Sequence, residues 1–146
     1  MKAPQDVKSA VLFTLSQFAE AYASRDLAKI RSLFVQDSDL VLYGSGADEK
    51  RLGVAEVEVQ AKRDWAQTEA AKISYEWTSV SSAGSVAWVA TDATFRLKAG
   101  GQDLTFPVRG TMVLEKRADK WLIAQAHFSF PAPDQSQGES FPTKTA

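Results

Sequence analysis

The 146-residue sequence contains no cysteine and a single histidine, and each shortage excludes chemistry. Without a thiol there is no disulfide framework, no thiolate nucleophile and no zinc site of the thiolate kind. One imidazole, His127, cannot build a multi-histidine metal site within one chain. No apolar run reaches the roughly 20 residues that a bilayer-spanning helix needs. An excess of positive charge is missing too: 17 Lys and Arg against 18 Asp and Glu leave a formal net charge of -1. A phosphate-tracking surface needs a concentrated basic field, so no nucleic-acid partner is expected. The start, Met1-Lys-Ala-Pro-Gln-Asp6, leads into an amphipathic pattern and not into a secretory core with its cleavage site. Together these shortages predict a cytoplasmic protein with no metal, no cofactor and no membrane partner.

What is present suits a packed core, with 45% hydrophobic and 24% charged residues. Asp6 is a candidate N-cap, and after it Val7, Val11, Leu15, Phe18 and Tyr22 recur at three- and four-residue steps, the spacing of a helix with one apolar stripe. Asp26 caps a second, shorter helix carrying Leu27, Ile30, Leu33 and Phe34. Asp39 opens a strand from Leu40 to Tyr43. Gly44 to Arg51 is expected to be a solvated turn, since it lacks both the third glycine of a dinucleotide fingerprint and the Gly-Lys-Ser/Thr ending of a P-loop.

Val57 and Val59 mimic a strand, yet Val54, Val57, Ala61 and Trp65 with the Glu58/Lys62 pair favour a helix from Val54 to Thr68. Asp64 is expected at its surface. From Lys72 the pattern is β. Ile73, Tyr75 and Trp77 alternate with polar residues, Ser81 to Gly84 turns the chain, and Val86 to Lys98 forms the next strand. After a turn at Ala99 to Asp103, Leu104–Lys116 and Trp121–Phe130 form a long hairpin around Arg117-Ala118-Asp119-Lys120. Pro107 cannot donate to a ladder and is expected at a bulge or an unpaired edge position. Residues 1–131 therefore read as a single α+β domain with helices on one face of a curved sheet, and residues 132–146 as a flexible C-terminal tail.

Alternation divides the hairpin into two faces. Met112, Leu114, Leu122, Ala124, Ala126, Phe128 and Phe130 are all apolar and are expected against the helices. The small Ala124 and Ala126 leave room there for a cavity, which Leu15 would also help to wall. The predicted pocket comprises Phe18, Tyr22, Tyr43, Trp65, Phe95, Met112, Ala124, Ala126 and Phe128, and suits a small apolar or aromatic ligand with Tyr22 or Tyr43 as the polar contact. The other parity mixes Val113 and Glu115 with Arg109, Thr111, Trp121, Ile123, Gln125, His127 and Ser129. An apolar patch with a polar rim marks an association surface, so these last seven are expected at the interface of a sheet-to-sheet homodimer. His127 and Asp92 are the candidates for proton transfer. His127 would do chemistry if a bulge near Pro107 or Gly110 turned its parity inward. Otherwise it belongs to the interface, and Asp92 to an ion pair with Arg96 or Arg109.

One layout ties these segments together: Phe18-x-x-x-Tyr22, then Asp26-Leu27 with Leu33-Phe34, then Gly53 opening the third helix, and finally Arg109-x-Thr111-x-Val113-Leu114, Trp121-x-Ile123 and His127-x-Ser129-x-Pro131. Over about residues 6–131 it resembles the SnoaL-like group of the nuclear transport factor two-like (ketosteroid isomerase-like) superfamily. Within that group it is most similar to the branch with the association domain of calcium/calmodulin-dependent kinases. The resemblance implies a cone-shaped α+β fold, with three N-terminal helices packed on a strongly curved, mainly antiparallel sheet. Members include isomerases, cyclases, hydratases, ligand binders and oligomerisation modules, so the fold alone selects no activity. It implies a homodimeric small-molecule-binding or accessory module with an apolar cavity between helix 1 and the sheet. The alternative is a proton-transfer enzyme (isomerase, cyclase or dehydratase) acting on a ring-shaped apolar substrate. Kinase association domains carry arginines in their cleft, where the corresponding strand positions here hold Met112 and Phe128.

Overall fold

The computed structural model describes residues 1–142, so the end of the expected tail, 143–146, lies outside the described residues. The first helix, α1 (Gln5–Ser24), begins at Pro4 and not at Asp6, because proline's fixed φ of -58° already suits a helix start. Asp6 sits instead in the first turn, where its charge complements the helix dipole. Val11, Leu15, Phe18 and Tyr22 form its buried stripe, as the spacing predicts, with Thr14 and Ala21 added. Arg25 ends α1 in the left-handed region at φ 59°, a conformation that costs a non-glycine residue roughly 1–2 kcal/mol. Its guanidinium donates to the carbonyls of Trp65 at 2.9 Å and Thr68 at 2.6 Å, which offsets that cost. Asp26 does cap α2 (Leu27–Ser32), accepting from the Lys29 N–H at 2.9 Å.

Strand β1 (Val41–Tyr43) is followed by β2 (Lys50–Leu52), which the expectation of a plain turn overlooked. The two pair antiparallel, so Gly44 to Glu49 is the tip of a small hairpin. Helix α3 (Val54–Ala66) buries Val54, Val57, Ala61 and Trp65 as its spacing predicts, and Gln60 besides. Then come β3 (Ala70–Ala83), β4 (Val86–Ala99), β5 (Gln102–Arg117) and β6 (Lys120–Ser129). Among the described residues the strands form one curved, six-stranded sheet in the order β2-β1-β6-β5-β4-β3. All neighbours are antiparallel except β1 and β6. The helices cover one face, with α1 against β3 and β6. Pro107 pairs with Thr94 of β4, but the ladder to β6 ends at Arg109, so on that side it occupies an edge.

Two irregularities re-aim side chains. In β3 the register shifts between Tyr75 and Trp77, leaving Glu76 unpaired. In the final hairpin Val113 pairs with Gln125 while Leu114 pairs with Ile123, so Ala124 is the extra residue of a bulge. An extra residue resets the alternation on one strand only. Ala126 and Phe128 turn toward the helices as expected, and His127 turns away. Beyond the bulge, however, it is Trp121 and Ile123 that turn inward, 5% and 1% exposed, while Leu122 is half-buried. The edge there explains the burial: the Ile123 N–H donates to the Leu33 carbonyl at 2.8 Å, and the Val35 N–H donates to the Ile123 carbonyl at 2.9 Å. Trp121 and Ile123 therefore leave the expected interface and belong to the core.

No helix among the described residues is long and apolar enough to cross a membrane. Residues 130–142 carry no helix or strand, and Phe141 is 79% exposed.

Candidate functional site

A cavity of about 210 Å³ lies between α1, α3, the inner face of the sheet and the tip of the β1–β2 hairpin. Helix periodicity places the residues on one side. Phe18 and Tyr22, four apart on α1, face it together, and Gln60 and Asp64, four apart on α3, flank the buried Val57/Ala61/Trp65 stripe. Ile73, Phe95, Leu97, Val108 and Phe128 supply the sheet wall, and Leu42 of β1 joins them. Phe130, just past β6, also lines it, with its ring 5.5 Å from that of Phe106. Gly110 makes room for this wall: a Cβ there would lie 3.1 Å from the Phe128 ring and 3.1 Å from Thr91 Cγ2.

One end of the cavity is polar. The Tyr22 hydroxyl donates to Asp64 Oδ2 at 2.8 Å, and Gln60 Nε2 donates to Asp64 Oδ1 at 2.7 Å. Gln60 Nε2 also reaches Glu49 Oε1 at 3.1 Å, and its carbonyl oxygen accepts from Arg51 Nε at 2.9 Å. Arg63 donates to Asp48 and to Glu49, both at 2.7 Å, and so clamps the hairpin tip to α3. Glu49 Oε2 accepts from the Gly46 N–H at 2.8 Å. Gly44 permits that curl, because a Cβ there would stand 2.2 Å from Glu49 Oε2. The tip that looked like a solvated turn thus contributes Gly44, Ser45 and Glu49 to the lining.

Burial pushes the Asp64 carboxyl above the usual carboxylate range, although the bonds from Tyr22 and Gln60 pull part of that rise back. Burial also pushes the Tyr22 hydroxyl up, and the neighbouring Asp64 charge adds to it. The hydroxyl therefore holds its proton at neutral pH and acts as a donor. A carboxyl with raised proton affinity beside an apolar cavity has the character of a general acid or base.

Of the predicted pocket, Phe18, Tyr22, Phe95 and Phe128 line the cavity. Trp65 packs behind Tyr22, its indole N–H donating to the Tyr22 carbonyl at 3.0 Å. Leu15, Met112 and Ala126 are buried in the core without lining the cavity, and Ala124 is the half-buried residue of the bulge. Tyr43 is corrected: it pairs beside His127 on the outer face of the sheet, with its ring 5.4 Å from the imidazole.

Neither proton-transfer candidate reaches the cavity. His127 and Asp92 are both exposed on the outer face. Asp92 makes no ion pair among the described residues: Arg96 donates to Ser74 Oγ at 3.1 Å, and Arg109 stands opposite Asp92 only as its cross-strand neighbour. Arg109, Thr111 and Gln125 share that outer face, as does half-buried Ser129, and Trp77 and Trp88 add to it at 54% and 42% exposure. Asp64 is the functional candidate that the sequence reading placed at the surface. Its only signal was the four-residue spacing from Gln60 beside an apolar stripe. Among the described residues no group of three or more His, Cys, Asp or Glu side chains is placed to hold a metal ion.

The SnoaL-like domain family matches residues 11–133. No curated protein matches the sequence. Three solved structures show the same fold. A nuclear transport factor 2-like superfamily protein from Salmonella enterica serovar Typhimurium is 17% identical with TM-score 0.83, covering 95% of this chain and 100% of that one. A proposed dehydratase of the NTF2-like family from Streptomyces avermitilis is 19% identical with TM-score 0.82, covering 88% and 99%. A proposed calcium/calmodulin-dependent protein kinase II association domain from Xanthomonas campestris is 25% identical with TM-score 0.75, covering 90% and 91%. With the helices laid over a curved sheet and the family match running through nearly all of it, this chain belongs to the SnoaL-like domain family and has the nuclear transport factor 2-like cone fold.

Proposed function

We propose that this chain binds a small, largely apolar ring compound in the cavity between α1 and the sheet. The observation that carries the reading is an aromatic wall of Phe18, Phe95, Phe128 and Phe130 facing a polar end at Tyr22 and Asp64. A cavity of about 150 Å³ holds benzene, so about 210 Å³ accommodates one ring with a short substituent. The test is titration with 2-phenylethanol followed by NMR. Shifts clustered on Phe18, Phe95 and Phe128 support the reading, and shifts scattered over the outer face refute it.

A second reading, proton transfer on such a ligand, is favoured by the 2.8 Å bond between Tyr22 and Asp64. Asp64 would exchange the proton and Tyr22 would hold the reacting group, a pairing that suits a dehydratase, isomerase or cyclase. The S. avermitilis relative, proposed as a dehydratase, shares the fold. With a turned-over compound in hand, Asp64→Asn should abolish turnover while leaving binding measurable; full turnover by that variant would end this reading.

Self-association through the outer face completes the proposal. Its support is the exposed aromatic set Trp77, Trp88 and Tyr43 around the polar Arg109, Thr111, Gln125 and His127. Sedimentation at micromolar concentration should show a dimer that Trp88→Glu converts to monomer; a wild-type monomer would refute it.

A further inference from the structure

Asp64 has an arrangement unusual for a half-buried carboxylate: the hydrogen bonds it accepts come from the Tyr22 hydroxyl and the Gln60 amide, both neutral. None of the ion pairs among the described residues includes it. Buried charges are ordinarily paired, since an unpaired one keeps the full cost of leaving water.

The guanidinium groups nearby are committed elsewhere. Arg63 is held between Asp48 and Glu49, Arg51 donates to the Gln60 carbonyl oxygen, and Arg25 donates to two backbone carbonyls. Among the described residues none of them lines the cavity, and neither does a lysine. The charged side chains that do are Glu49 and Asp64. Glu49 is paired with Arg63 at 2.7 Å, whereas Asp64 makes no ion pair among the described residues and feels the Arg63 charge only without contact.

We infer that the cavity is selective for a cationic ring compound, an aromatic or cyclic amine whose ammonium supplies the counter-ion Asp64 lacks. The inference rests on the binding reading above and names the ligand class of that same cavity. An ammonium at the polar end donates to Asp64, a charge-assisted bond roughly twice as strong as a neutral one. The ring then occupies the aromatic wall of Phe18, Phe95 and Phe128. A ligand carrying its own carboxylate or phosphate meets Asp64 and Glu49 as like charges, with no cation in the lining among the described residues.

Three probes of one shape decide it: 2-phenylethylamine, 2-phenylethanol and phenylacetate, each titrated at pH 7.5 into the intact chain and followed by NMR. The amine is expected to bind about tenfold or more tightly than the alcohol, and phenylacetate more weakly than either. In Asp64→Asn the preference for amine over alcohol should collapse toward unity while the alcohol still binds. Glu49→Gln, whose charge Arg63 already offsets, should change the preference less. Should Asp64→Asn not fold, the wild-type ranking alone still decides. An alcohol or acid that binds as well as the amine overturns the charge selection and leaves the cavity reading standing. Failure of all three probes to bind the folded wild-type chain overturns both.

Discussion

Replacing Tyr22 by Phe removes one oxygen and leaves the ring in place, so it isolates the bond that Tyr22 donates to Asp64 at 2.8 Å. A hydrogen bond to a charged group is worth about 1.5–3 kcal/mol, and the lower end applies because Asp64 is not fully enclosed. A loss of about 1.5 kcal/mol, at a pH where Asp64 is ionised, corresponds to about 3–6 °C in Tm for a chain of this length. The pH dependence carries the sharper test. Asp64 is held above the usual carboxylate range, so the folded chain keeps this proton to higher pH than the unfolded chain does. Its contribution to stability is therefore fully favourable at low pH and declines as pH rises from the unfolded midpoint to the folded one. Tyr22 favours the ionised form, so Tyr22→Phe moves the folded midpoint further up and deepens the decline. The deficit of the variant should be largest above that window and shrink to about 1 kcal/mol or less below it, where the bond is to a neutral acid. Urea unfolding from pH 4 to 8, with carbon NMR of the Asp64 carboxyl, measures both quantities. A midpoint that stays put or falls, or a deficit equal at every pH, would refute the assignment of Tyr22 as donor to a carboxylate.

Ile123→Ala should cost about 2–5 kcal/mol, whereas Gln125→Ala two residues away should stay within about 0.5 kcal/mol in the monomer; chemical denaturation of the pair reads the bulge directly. Gly110→Ala should drive the Phe128 ring into the cavity, costing about 1–3 kcal/mol and weakening 2-phenylethanol binding; unchanged affinity in the NMR titration would contradict the packing around Gly110. Asp26→Ala should cost about 1 kcal/mol by thermal melting through loss of the bond to the Lys29 N–H, with Asp26→Ser recovering most of it.

The helices were legible because their apolar residues recur at one period and nothing interrupts it: Val11, Leu15, Phe18 and Tyr22 are all buried. The final strand was legible only in part. Trp121-Leu-Ile-Ala124 is apolar at every position, so alternation offers two equally good faces there, and the bulge at Ala124 chooses between them. What tips the choice is the backbone of Leu33 to Val35 docking on Ile123, a contact between residues about ninety positions apart that no local pattern announces. The site suffered the same limit. Asp64 lies in a stretch of α3 that reads as a solvated flank, and its partner Tyr22 arrives from 42 residues earlier. Tyr43 was misplaced for the opposite reason: a three-residue strand is too short for its alternation to reveal which side faces in. Short β2 escaped notice because Lys50 and Arg51 carry no strand signature until β1 pairs with them.

Strand β6, the last to be made, lies between β1 and β5 in the sheet. Since β1 pairs in parallel with residues 125–127, the hairpin carrying Glu49 can reach α3 but has no place in the sheet until those residues are made. Domains emerge N-terminus first at about 5–20 residues per second, so for several seconds the nascent chain carries Leu42 and Leu33–Val35 with their partner strand still unmade. A stop codon before residue 125 would therefore strip β1 and the Leu33–Val35 backbone of their sheet partner as well as removing the end of the chain.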